Sequence, residues 1–333
     1  MTVRLRLPKH AGVLLLVLVP LLSVLLTLFV GRYAVSFSGV WGALVGRGSI
    51  EVLTVIWYLR LPRAVAAAFV GASLAVSGTA FQGVFRNPLV NSGILGVNNG
   101  AAFGAALAIV MMGGGAYTYV FAFAFALLAV VLSALAGRVY GSSPTVTLVL
   151  GGVIISSLFG SLTSLLKYIA NPYTQLPAIT FWMMGSMASV NYTHLVAVLP
   201  MMAGMLLIWL CRWKINALSM GDREALALGV DTRLYKFLII GGATLSTASA
   251  VCISGSIGWI GLVIPHIGRM IVGNDNTRLV PVSMSLGACF LVFIDLLARN
   301  IATSEVPLSI LTSLVGTPFF IYLLKKTKGG AWR

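Results

Sequence analysis

The sequence predicts an all-α, polytopic membrane protein with about ten transmembrane helices and both termini cytoplasmic. Three observations carry this. Of 333 residues, 59% are hydrophobic and only 9% are charged, where a soluble domain carries about 25% charge. The apolar residues gather into about ten unbroken runs. Each is close to the roughly 20 residues that one membrane helix needs, and none alternates like the ~10-residue strands of a barrel. Lys and Arg then divide unequally between the two sets of connections, which sets the orientation.

Taken in order, the runs lie near 11–31, 64–83, 93–112, 117–137, 146–168, 193–211, 237–256, 258–272, 280–298 and 308–324. The first follows "MTVRLRLPKH". It is too long for a secretory signal and no A-x-A site follows, so it stays as a span. The eighth, "GWIGLVIPHIGRMIV", is short for a crossing helix. With the N-terminus inside, the inner segments hold 16 Lys and Arg and the outer segments hold 6, namely Arg32, Arg47, Arg60, Arg63, Lys167 and Arg299. The net charge of +15 has the same origin and does not call for a nucleic-acid partner. The chain reads as one transmembrane domain over 1–333, with a long cytoplasmic connection at about 212–236.

Small residues recur through the spans, as in "GASLAVSG", "GGVIISSLFGSLTS" and "GGATLSTASA". They let helix backbones approach where lipid removes any hydrophobic drive between helices. The second and seventh spans share this character and run in opposite directions, a hint of an inverted repeat. "LRLPR" opposes the charge rule by placing Arg60 and Arg63 outside, with Pro62 where a first helical turn tolerates it. Arginines there either snorkel to lipid phosphate or meet a partner. Arg299 also falls outside, four residues after Asp295, so a helical ion pair is available to it. In the long connection, Asp222 is placed to cap "REALAL", Gly229 to end that short helix, and Asp231 or Thr232 to start the next span. A capped amphipathic helix lying across the inner face invites a protein partner.

Chemistry is sparse. No GKS/T phosphate loop, HExxH, CxxC or GxSxG occurs. The three cysteines and three histidines are scattered, without metal or disulfide spacing. Asp295 is the one carboxylate inside a span, too few for a proton relay. The "MM" pairs at 111, 183 and 201 read as helix packing rather than metal handling. The chain reads as a pore or carrier with no enzyme activity, no cofactor and no engine of its own.

At this point the motifs resemble a family. "LRLPR", "VGASLAVSGTAFQGVFRNPLVNSGILGVNNGA", "GDREALALGV", "GSIGWIGLVIPHIGRM", "LVPVSMSLGACFLVFIDLLAR" and "VPLSILTSLVGTPFFIYLL" are similar to the FecCD-type permease subunits of ABC importers for iron chelates, haem and cobalamin. The resemblance covers about residues 50 to 325. It implies a bacterial or archaeal cytoplasmic-membrane homodimer around a central pathway, set in lipid. Two cytoplasmic subunits that bind ATP and Mg and an external substrate-binding protein complete the assembly. It assigns docking of the binding protein to Arg60, Arg63 and Arg299, which suits guanidinium forks facing carboxylates. It assigns ATPase coupling to Asp222, Arg223, Glu224, Ala225 and Gly229. The connection "GSSPTVT" matches the family's gate with Thr145 in place, although Pro144 and Val146 are less polar than that gate. Ser157, Ser161 and Ser164 share one face of the fifth span, a small, uncharged wall suited to a bulky chelate. The cargo expected is an iron-siderophore, haem or cobalamin. An oxyanion such as molybdate, or an ion-gradient-driven secondary transporter, are the alternatives.

Overall fold

The computed structural model describes residues 9–137 and 145–326. Among them the regular structure is entirely helical. Each apolar run coincides with a helix: α1 Lys9–Phe29, α4 Leu61–Phe85, α5 Val97–Met112, α6 Ala116–Ala136, α7 Thr145–Ile169, α9 Val198–Met220, α11 Thr232–Ser254, α12 Ile260–Val272, α13 Asn276–Asn300 and α14 Leu308–Lys326. Six helical segments are long and apolar enough to cross a membrane, and four shorter apolar ones accompany them. Four short helices join these: α2 Phe37–Leu44, α3 Ile50–Leu53, α8 Gln175–Met184 and α10 Asp222–Ala227. The first three fall in connections that periodicity leaves unassigned, because each is too short to show a repeat.

The second span is longer than its apolar run. From Ile50 the chain is helical without a break to Phe85. Residues Thr54–Arg60 wind as a π-helix, a wide turn that frees backbone carbonyls from the regular ladder. One outside donor reaches a carbonyl of this turn, and the turn's Trp57 side chain reaches an outside acceptor. Tyr192 donates its O–H to the Trp57 carbonyl at 2.8 Å, and the Trp57 indole N–H donates to Ala43 at 2.8 Å. Arg60 and Arg63 therefore emerge from a helix already under way, not from a loose span end.

α4 is the axis of the fold, packed by α13, α11, α9 and α12 and buried along most of its length. Small residues make that possible. A Cβ on Gly71 would collide with the Gly287 carbonyl of α13, and one on Gly287 with the Gly71 carbonyl. The two backbones touch where the glycines face each other, the close approach that small residues give in lipid. α11, whose small-residue pattern resembles that of α4, is the other deeply buried helix, and the two pack together. α4 thus runs between two ends of the bundle, one marked by Arg60 and Arg63 and the other by Arg86.

Candidate functional site

At the first end, the arginines singled out in the sequence come together, but they face inward. Arg60, Arg63 and Arg299 are only 4%, 8% and 8% exposed. Arg60 donates to the Leu28 and Tyr33 carbonyls at 2.5 Å each, closing the end of α1. Arg63 spreads its fork over two carboxylates. It meets Asp295 at 2.8 Å and Glu305 at 2.7 Å, with further contacts to both from its remaining N–H groups. Arg299 stands 3.7 Å from Asp295 one helical turn away, and its Nε and Nη2 have no hydrogen-bond partner. Arg32 ties in the backbone by donating to the carbonyls of Arg299 at 2.7 Å and Ala302 at 2.6 Å.

All three side chains are buried within the chain's own contacts. For Arg60 and Arg63, carbonyls and acids distant in sequence already take up donors of the fork, whereas Arg299 is buried with Nε and Nη2 unpaired. The Asp295–Arg299 pair that spacing suggested is present but long, since Arg63 holds Asp295. Four guanidinium groups still meet only two carboxylates here, a surplus of two positive charges. Glu305 and Arg32 were missed by sequence reading. The only signal for Glu305 was that it is an acid in an outer connection with few charges.

At the opposite end, α10 and its flanks form a small platform. Gly221, not Asp222, occupies the position before the helix. Asp222 instead uses its carboxylate on Lys236 of α11 at 2.6 Å. Ala225 is fully buried, and Val230 follows it into the core. Arg223 and Glu224 are exposed, as are Leu226 and Leu228, at 58% and 55%. Gly229 ends the helix at φ +73°, the left-handed conformation that favours glycine. Asp231 caps α11 by accepting from the Leu234 N–H at 3.0 Å. The platform is anchored on one side and offers two leucines between charges on the other. Those leucines were legible in "EALALG" only once the burial of Ala225 fixed which face turns out.

Residues 141–144 of the expected gate lie outside the described residues, and Thr145 is described only as the first backbone residue of α7. Ser157, Ser161 and Ser164 do share an exposed face of α7. Ser157 and Ser164 return their hydroxyl protons to the Val153 and Gly160 carbonyls, each at 3.0 Å. That leaves the face polar with few donors to offer. It is not part of the arginine cluster or of the α10 platform. Among the described residues no group of three or more His, Cys, Asp or Glu is placed to hold a metal ion.

An all-helical bundle of apolar spans, tied at one end by charges and ending at the other in an anchored exposed helix, defines a multi-pass transport protein of the cell membrane. The chain belongs to the FecCD transport family, whose model matches residues 16–326, and is an ABC importer permease. It is 39% identical over 323 residues to the molybdate import system permease protein MolB of Haemophilus influenzae, covering 95% of each chain. It is 38% identical over 280 residues to a probable iron chelatin transport system permease protein of Helicobacter pylori, covering 83% of each. A solved inward-facing conformation of a metal-chelate type ABC transporter superposes with a TM-score of 0.86 at 37% identity, over 96% of this chain and 100% of that one.

Proposed function

We propose that two copies of this chain form the pathway of an importer for a bulky metal chelate, an iron-siderophore, haem or cobalamin. Ten helices span the membrane and both termini lie in the cytoplasm in this reading, which the Lys and Arg distribution supports. ATP is bound with Mg and hydrolysed by two cytoplasmic partner subunits, and an external binding protein delivers the cargo. The observation that carries this reading is α10. It is fastened by Ala225, Val230 and the Asp222–Lys236 pair, yet it leaves Arg223, Glu224, Leu226 and Leu228 exposed among the described residues. That is the form of a lever pushed by another protein.

The exposed serine face of α7, with Ser157, Ser161 and Ser164, lines the pathway in this proposal, and Thr145 stands at its gate. The binding protein meets the end that bears Arg60, Arg63 and Arg299, drawn by the surplus positive charge. Direct fork-to-carboxylate docking through Arg63 then requires an incoming acid to take the place of Glu305. A secondary transporter fits less well, because the intramembrane acid Asp295 is committed to Arg63. An oxyanion cargo is the second reading, favoured by the 39% identity to the molybdate permease.

The test is co-purification with the cognate ATPase. Leu226→Asp is expected to abolish it while the permease stays folded. Undiminished capture of the ATPase by that variant would remove α10 from the interface.

A further inference from the structure

At the Arg86 end of the bundle a cavity of about 430 Å³ opens among the C-terminal turns of α4, α9 and α12 and the start of α13. Arg86, His266 and Arg269 line it with the amides Gln82, Asn87 and Asn276, and no carboxylate is among its lining residues. Neither arginine has a carboxylate within ion-pair distance among the described residues. The nearby acids are engaged elsewhere: Asp275 with Asn216 and Thr277, and Asp222 with Lys236. Glu224 stands at the rim, where both its carboxylate and the Arg86 guanidinium crowd Gly221.

The lining is fixed in place by neutral groups. The Gln82 amide donates to the Val90 and Gly261 carbonyls at 3.1 and 3.2 Å. Its oxygen is thereby turned to receive Arg269 Nη2 at 2.6 Å. One N–H of Arg269 is so occupied, and a guanidinium carries five. The Asn87 oxygen accepts from the Leu89 N–H at 2.9 Å, which leaves its NH2 to donate. Arg269 is half-buried with no carboxylate in ion-pair distance among the described residues, a costly state for a guanidinium. Arg86 is exposed at the mouth. Planar forks match multi-oxygen anions.

We propose that this cavity binds a phosphoryl anion, held by Arg86 and Arg269 with Asn87 donating to a further oxygen. Two sources share that chemistry, the headgroup of an acidic phospholipid and free phosphate. In the orientation proposed above the cavity lies at the inner leaflet, where acidic lipids collect and basic pockets between helices receive their headgroups. Only the choice of leaflet rests on that orientation. The site itself does not rest on the identity of the cargo or on the binding protein.

The experiment uses the full chain in nanodiscs. Three preparations are compared by thermal unfolding and by native mass spectrometry of retained lipid: phosphatidylglycerol, phosphatidylcholine, and phosphatidylcholine with inorganic phosphate. Stabilisation and retention with phosphatidylglycerol alone identify the lipid headgroup; stabilisation by inorganic phosphate identifies the soluble anion. The double variant Arg86→Gln/Arg269→Gln is expected to weaken that binding at least tenfold, while Lys214→Gln, outside the cavity, leaves it unchanged. Asn87→Asp keeps the turn and adds an internal counter-ion. It is expected to fold and to lose the anion dependence, so the test stands even if the double variant misfolds. A wild type indifferent to both anions, or an Asn87→Asp chain that binds them as the wild type does, overturns the proposal.

Discussion

Arg63 carries the most consequence of any single side chain. Its fork holds Asp295, which is 1% exposed, and Glu305 from the connection before α14. Removing one partner of a buried pair typically costs about 3–5 kcal/mol, because the other charge is stranded. Asp295→Asn is accordingly expected to lower the unfolding temperature and the yield of folded permease sharply, and Arg63→Gln to do the same. Glu305→Gln differs, since it keeps the Asp295 contact and frees one prong of the fork. It is expected to leave the fold intact and to tighten capture of an acidic binding protein, by up to about fivefold if the gain is that of an exposed pair of about 1 kcal/mol. The gain should vanish at high salt, where the Debye length falls to about 3 Å at 1 M. Binding to the permease in nanodiscs across a salt series measures it, and weaker capture would place Glu305 in the docking surface itself.

Asp275 gives a pH-dependent counterpart. Burial pushes its carboxyl up, but hydrogen bonds from Thr277 and Asn216 and the nearby Arg278 outweigh this and leave it below the ordinary carboxylate range. A depressed carboxyl contributes stability that is complete above its unfolded value, about 3.9, and is lost as pH falls through the folded one. It also caps α13 by accepting from the Thr277 N–H at 2.9 Å. Asp275→Ala is expected to cost about 1 kcal/mol at neutral pH, and the difference from wild type should shrink on acidification below that range. A gap that does not change with pH would assign the effect to packing.

Among the elements, the proposed function rests on α10 and α7. Glu224→Arg is expected to lower substrate-stimulated ATP hydrolysis without unfolding the chain, since Glu224 is exposed. Gly229→Ala should cost about 1–2 kcal/mol, because an L side chain is strained at φ +73°. Ser161→Trp is expected to stop uptake while leaving ATPase capture intact; full uptake would put that face against lipid. These elements were largely legible in the sequence. Apolar runs located the helices, Gly229 and Asp231 marked where α10 ends and α11 begins, and "GASLAVSG" marked the buried helix. What sequence could not supply were partners distant along the chain. Asp295 and Glu305 lie more than 230 positions from Arg63, so span-end arithmetic placed the arginines without showing what they pair with. The π-turn at Thr54–Arg60 escaped for a different reason, as it has no composition of its own. Asp222 was read as a cap because capping is a local rule, whereas its actual partner, Lys236, is on the next long helix.

In the molecule as a whole, α4 joins the two charged ends, with Arg63 near its start and Arg86 just past its close. A rigid, deeply packed rod between them suits a permease whose outer and inner faces must alternate together. The direct measurement is uptake of a radiolabelled iron chelate into proteoliposomes holding the permease, its cognate ATPase and its binding protein. Uptake is expected only when ATP and Mg are present on the ATPase side. It should be lost with Leu226→Asp and unaffected by collapse of proton and sodium gradients. Uptake that persists without the ATPase and falls when those gradients collapse would contradict the assignment of this chain as an ATP-driven importer permease.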